Sequence, residues 1–162
     1  MSHPVTEERP TAHGDALNGL RAAIAEAPQP EAGAQRVVDL LHDRFAHYDW
    51  VGIYWVDGND LVLGPWIGPE ATEHTRIPIG TGVCGAAAAS GQTEIVPDVS
   101  ADPRYLACFA STKSEIVVPI FDGGEVIGEI DIDGSDLDAF DEMDARFLEE
   151  VAALVAPLRP RA

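Results

Sequence analysis

A chain of 162 residues with 46% hydrophobic side chains is long enough to bury the core of one domain. Ten basic against 28 acidic side chains leave a formal net charge of -18, which repels phosphate backbones and anionic surfaces and argues against nucleic acid or membrane as a partner. No stretch has the length of a spanning helix, and Met1 to Pro10 is polar and proline-containing rather than basic then apolar, so the cytoplasm is the expected location.

Residues 1–13 show no apolar periodicity and are expected to form a mobile tail, with one domain over 14–162. Asp15 to Ala27, with Leu17, Leu20, Ala23 and Ile24 on one face, and Glu31 to His47, with Val37, Leu40, Leu41 and Phe45, are predicted helices separated by Pro28-Gln29-Pro30. From Trp50 the period becomes two. Trp50 to Val56 and Leu61 to Ile67 flank Asp57-Gly58-Asn59 as a hairpin, and Thr75 to Ile79 is a short strand. Gly80 to Gly85 leads into a brief helix over Ala86 to Ser90, closed by Gly91, and Glu94 to Val96 is extended. Ser114 to Phe121 and Glu125 to Asp133 flank Asp122-Gly123-Gly124 as a second hairpin. A terminal helix over Asp141 to Leu158 carries the stripe Phe147, Val151, Leu154 and Leu158, with an aspartate at its N-cap. The pattern predicts an α+β domain: a central antiparallel sheet of about six strands, the N- and C-terminal helices on one face, and a loop-covered ligand pocket on the other.

Two cysteines, Cys84 and Cys108, are too few to staple the domain and too far apart for a CxxC pair, so they are packed thiols or a redox couple. Five scattered histidines give no metal-ligand spacing, and neither metal nor cofactor is expected. Asp131 and Asp133 alternate with Ile130 and Ile132 and share one strand face, with Glu115 across the hairpin. Such acids are usually solvated. On a covered face they need a cation or a held proton. Trp50 and Tyr54 share a face of the first strand, opposite Val51, Ile53 and Trp55.

The ordered motifs Asp-Trp-Val-Gly-Ile-Tyr (49–54), Leu-Val-Leu-Gly-Pro-Trp (61–66), Arg-Ile-Pro-Ile-Gly-Thr-Gly-Val-Cys-Gly (76–85), Val-Pro-Asp-Val (96–99), Ala-Cys (107–108), Ser-Glu-Ile-Val-Val-Pro (114–119) and Gly-Glu-Ile-Asp-Ile-Asp (128–133) resemble the free methionine-(R)-sulfoxide reductases, which are single GAF domains. The likeness runs from about residue 30 to 157. It implies reduction of the R sulfoxide of free methionine through a cysteine sulfenic acid and a disulfide that thioredoxin reduces.

By that resemblance Cys108 is the catalytic thiol, and Cys84, in the Gly-Val-Cys-Gly motif, is a candidate to resolve it. On its own merits Cys84 could equally pack as a small hydrophobe. Two departures stand out: the family's further cysteine has no counterpart in residues 68–75, and Phe109 replaces the aspartate that often follows the catalytic cysteine. The implied pocket has Glu115, Asp131 and Asp133 around the substrate ammonium, with Glu115 or Asp133 also supplying the proton the sulfoxide oxygen needs. Trp50 and Tyr54 wall the methyl-sulfur end, with Trp66 as a third aromatic, and backbone N–H groups around Gly82, Val83 and Gly85 face the substrate carboxylate. The alternatives are a GAF sensor that binds an amino-acid-like ligand without turnover, and a homodimerisation module built on the terminal helices.

Overall fold

Strict alternation from Trp50 onward produces the first hairpin, β1 (Trp50–Asp57) and β2 (Asp60–Ile67), in the computed structural model, which describes residues 8–106 and 109–160. β3 (Arg76–Pro78) pairs with β2, and β4 (Glu94–Val96) with β5 (Ser114–Asp122). β6 (Glu125–Gly134) lies between β5 and β1. The six strands form one antiparallel sheet in the order β3-β2-β1-β6-β5-β4. The β5–β6 turn pairs Asp122 with Glu125 around Gly123 (φ 60) and Gly124 (φ 86). Two successive positive φ values are what a two-residue hairpin matching the strand twist requires, and glycine adopts them without steric cost.

Helices α1 (Glu8–Glu26), α2 (Pro30–Arg44) and α4 (Glu142–Val155) pack on one face, where Leu20, Val37, Leu41, Phe147 and Val151 meet Val51, Ile53, Ile130 and Ile132. The second face carries α3 (Gly82–Ser90), which packs on β5 and β6, together with the segments around β3 and β4. The short helix predicted after Gly85 thus lies on the pocket face, among the loops that cover it. The helix begins at Gly82, four residues before the predicted start, because Thr81 takes the extended N-cap conformation there.

The tail boundary is also corrected. Residues 8–13 belong to α1, with Pro10 in the first turn, where a missing N–H costs nothing. They lack apolar periodicity because other forces hold them. Arg9 makes a bidentate contact with Asp141 (2.6 Å for Nη1–Oδ2) and reaches Asp144 at 3.3 Å, and His13 stacks on Phe147 at 4.2 Å. Asp141 also caps α4 by accepting from the Met143 and Asp144 N–H groups. Residues 1–7 lie outside the described residues. No described helix is long and apolar enough to cross a membrane.

Candidate active site

The register of β1, β6 and β5 builds the site. Trp50 pairs with Asp133, Gly52 with Asp131 and Tyr54 with Glu129, while Glu115 pairs with Asp133 across β5. Because side chains of one strand face recur every second residue, Glu129, Asp131 and Asp133 stand in a row under α3, flanked by Trp50 and Tyr54 on one side and Glu115 on the other. The predicted opposition of Ile130 and Ile132 to the two aspartates holds, since both isoleucines belong to the helix-side core.

All four carboxyls are at most 5% exposed, so solvent does not stabilise their charges. Burial, then the neighbouring Asp131 and Asp133, pushes Glu115 well above the usual carboxylate range. Burial, then Asp131, does the same for Glu129 and Asp133, and burial raises Asp131. The physical result is a cluster that holds protons where exposed acids are ionised. Among the described residues, Asp131 Oδ1, Asp133 Oδ1 and both oxygens of Glu129 meet no hydrogen-bond partner of ordinary geometry. Thr112 Oγ1 donates to Asp133 Oδ2 at 3.4 Å.

Cys84 enters this cluster from above, in the first turn of α3, and is buried. Its sulfur and one oxygen each of Glu115 and Asp131 lie within 4.8 Å of one another. Burial and the carboxyls of Asp131, Glu129 and Glu115 push its pKa well up, so it is a thiol at neutral pH despite its place at a helix start. A Cβ on Gly85 would stand 2.7 Å from the Pro78 carbonyl oxygen and 2.9 Å from Gly80 N, so glycine there lets α3 sit tight on the β3 turn. The Gly85 N–H donates to Thr81 O at 2.9 Å. Gly85 is thus a packing residue, and the N–H groups at the start of α3 that no earlier helical carbonyl can satisfy are those of Gly82, Val83 and Cys84.

The aromatic wall is Trp50, Tyr54, Trp66 and Phe109. Trp50 stacks on Trp66 with centroids 6.1 Å apart and tilts against Phe109 at 5.9 Å. Its indole lies over two glycines: a Cβ on Gly52 or Gly68 would come within 2.3 Å of the ring. The Tyr54 hydroxyl donates to the His74 carbonyl at 2.8 Å. Tyr54, His74, Ile77, Val83, Cys84, Leu106, Glu115 and Asp131 enclose a cavity of about 20 Å³, room for one water.

The structure therefore brings Trp50, Tyr54, Val83, Cys84, Glu115, Asp131 and Asp133 to one face, with Gly82 at the start of the helix that covers it. Cys108 lies outside the described residues, while Leu106 lines the cavity and Phe109 packs on Trp50. Sequence reasoning missed Glu129 and Phe109. Glu129 carried a usable signal, the same strand parity as Asp131 and Asp133. Phe109 signalled only its adjacency to Cys108.

A curled antiparallel sheet with helices on one face and a pocket under a short helix on the other is the architecture of a GAF domain. The GAF domain family matches residues 29–157, and the chain belongs to that family. Its homologues there include proteins named free methionine-R-sulfoxide reductase. It is 46% identical over 111 residues to the one from Saccharomyces cerevisiae (66% of this chain, 61% of that one). To the one from Escherichia coli it is 38% identical over 114 residues (70% and 68%). The solved structure of free methionine-R-sulfoxide reductase from Neisseria meningitidis, in complex with its substrate, superposes with a TM-score of 0.86 at 37% identity, covering 98% of this chain and 93% of that one.

Proposed function

We propose that this protein reduces the R sulfoxide of free methionine. The observation that carries the reading is the row of buried, partly unpartnered carboxyls between a buried thiol and an aromatic wall, a site that calls for a cation at one end and an apolar sulfur group at the other. Homologues that bear this activity in their names support it.

In the proposed cycle the substrate ammonium lies against Glu115, Asp131 and Asp133, the carboxylate faces the N–H groups at the start of α3, and the methyl-sulfur end rests on Trp50 and Tyr54. The cavity admits no ligand of this size as it stands, so its lining opens on binding. Cys108 attacks the sulfoxide sulfur while Glu115 or Asp133 protonates the oxygen. That oxygen passes to the cysteine, leaving methionine and a Cys108 sulfenic acid; the thiol loses two electrons and the sulfoxide gains them. Cys84 S–H then condenses with the sulfenic acid. A Cys84–Cys108 disulfide forms, the oxygen leaves as water, and a dithiol protein of the thioredoxin class returns two electrons.

Product analysis with each epimer tests the reading. Reduced protein should convert the R epimer and leave the S epimer almost untouched, and Cys108→Ser should convert neither. Equal consumption of both epimers, or full activity in Cys108→Ser, contradicts it.

A further inference from the structure

The cavity under α3 is too small for an amino acid but matches a single ion. Of its lining residues, Cys84, Glu115 and Asp131 place one sulfur and two carboxylate oxygens within 4.8 Å of one another. Asp131 Oδ1 and both oxygens of Glu129, in the same row, are buried without a hydrogen bond of ordinary geometry, and the donors beside them are the cluster's own Cys84 thiol and, for Asp131, Glu115. These orphaned acceptors lack a positive partner. A water could supply two donors at most, whereas a divalent ion answers a thiolate and two carboxylates together.

We propose that Cys84, Glu115 and Asp131 form a binding site for a thiophilic divalent metal ion of the zinc class. Zinc takes Cys sulfur at about 2.3 Å and carboxylate oxygen at about 2.0–2.2 Å, so tetrahedral ligands stand roughly 3.3–3.8 Å apart. The present separations, at most 4.8 Å, would have to shorten by up to about 1–1.5 Å on binding. Calcium and magnesium are disfavoured, since they require six or more oxygens or retained waters and avoid sulfur. Zinc binding displaces the protons held by the thiol and the two carboxyls; the ligand charge is then -3, and the ion leaves a net charge of -1.

The histidine spacing that normally signals zinc is absent. The site arises instead from strand register, with Glu115 and Asp131 on neighbouring strands and Cys84 lowered onto them by α3. Resting on the reductase reading, a second consequence follows: the ion occupies the place of the substrate ammonium and masks the resolving thiol, so zinc and free methionine sulfoxide exclude each other.

The test uses reduced full-length chain carrying Cys108→Ser, in which Cys84 is the only thiol, titrated with Co²⁺ and then Zn²⁺. One Co²⁺ per chain should bind with a sulfur-to-cobalt charge-transfer band, which Zn²⁺ bleaches. Replacing Cys84 by alanine as well should abolish the band and weaken zinc by at least about 100-fold, a larger loss than that of an outer-shell partner. Asp131→Asn should weaken it too; circular dichroism shows whether each variant is folded, and the small buried Cys84→Ala change remains informative if Asp131→Asn is not. Absence of the band, or equal zinc affinity with and without Cys84, overturns the site. Added methionine-(R)-sulfoxide should raise the apparent zinc Kd, and no change overturns the shared position. Cobalt binding requires no turnover, so a band in Cys108→Ser beside a parent protein that reduces no sulfoxide contradicts the reductase reading alone. An active parent whose Cys108→Ser form shows no band contradicts the metal site alone.

Discussion

At the scale of single residues the site depends on carboxyls that burial keeps protonated. Glu115 is pushed up by burial and then by Asp131 and Asp133, Asp133 by burial and then by Asp131, and one of the two is the proposed proton donor. Replacing either by its amide removes the acidic proton while keeping shape, so Glu115→Gln or Asp133→Asn should lower turnover by on the order of 10²-fold or more. Steady-state rates with free substrate check this, and wild-type rates in both variants would make these side chains structural. Glu129 invites a different experiment. A carboxyl whose folded pKa lies above its unfolded value of about 4.3 contributes stability that is complete below that value and lost as pH rises through the folded pKa. Glu129→Gln should therefore flatten the fall of Tm with rising pH and, if it relieves about 1 kcal/mol at pH 8, raise Tm there by about 2–4 °C. A parallel fall in both proteins contradicts the assignment.

Elements explain what the sequence revealed and what it withheld. Both hairpins were legible because strand alternation and glycine turns are local signals, and Trp50, Tyr54, Asp131 and Asp133 followed from parity alone. The start of α1 was not legible, because residues 8–13 are held by Arg9 and His13 contacts to a helix more than 130 residues away in sequence. Nor was the placement of Cys84 over Glu129 and Asp131, which depends on how α3 settles on the sheet. Two predictions belong here. Arg9→Ala leaves the buried Asp144 with Tyr48 and His47 but without its guanidinium. It should cost about 2–3 kcal/mol in denaturant unfolding, less than the 3–5 kcal/mol of a fully buried pair because Asp141 is partly exposed. Gly85→Ala sets a methyl against backbone atoms of the β3 turn. It should destabilise by about 1–3 kcal/mol and weaken substrate binding by displacing the N–H groups of α3. Unchanged unfolding midpoints would contradict both.

For the whole molecule, charge and chemistry pull in opposite directions along the pH axis. The Arg9 guanidinium holds Asp141 well below the usual carboxylate range, a contribution present above the unfolded pKa of about 3.9 and lost as pH falls below it. The carboxyl row loses its contribution as pH rises, and the net charge of -18 adds self-repulsion at neutral pH. Chemistry at the site divides between two thiols. Cys84→Ser should still release one methionine per chain, because attack on sulfur needs only Cys108, yet lose recycling by thioredoxin, with partial rescue by dithiothreitol. Mass spectrometry after one equivalent of substrate should find a Cys84–Cys108 bridge in the parent and a trapped sulfenic acid in the variant. The central claim, that the buried carboxyls read a free ammonium group, is tested most directly by comparing single-turnover methionine release from methionine-(R)-sulfoxide with release of the N-acetyl product from its N-acetylated form. The account predicts a loss of on the order of 10²-fold or more when the ammonium is masked. Equal rates on the two substrates would contradict it.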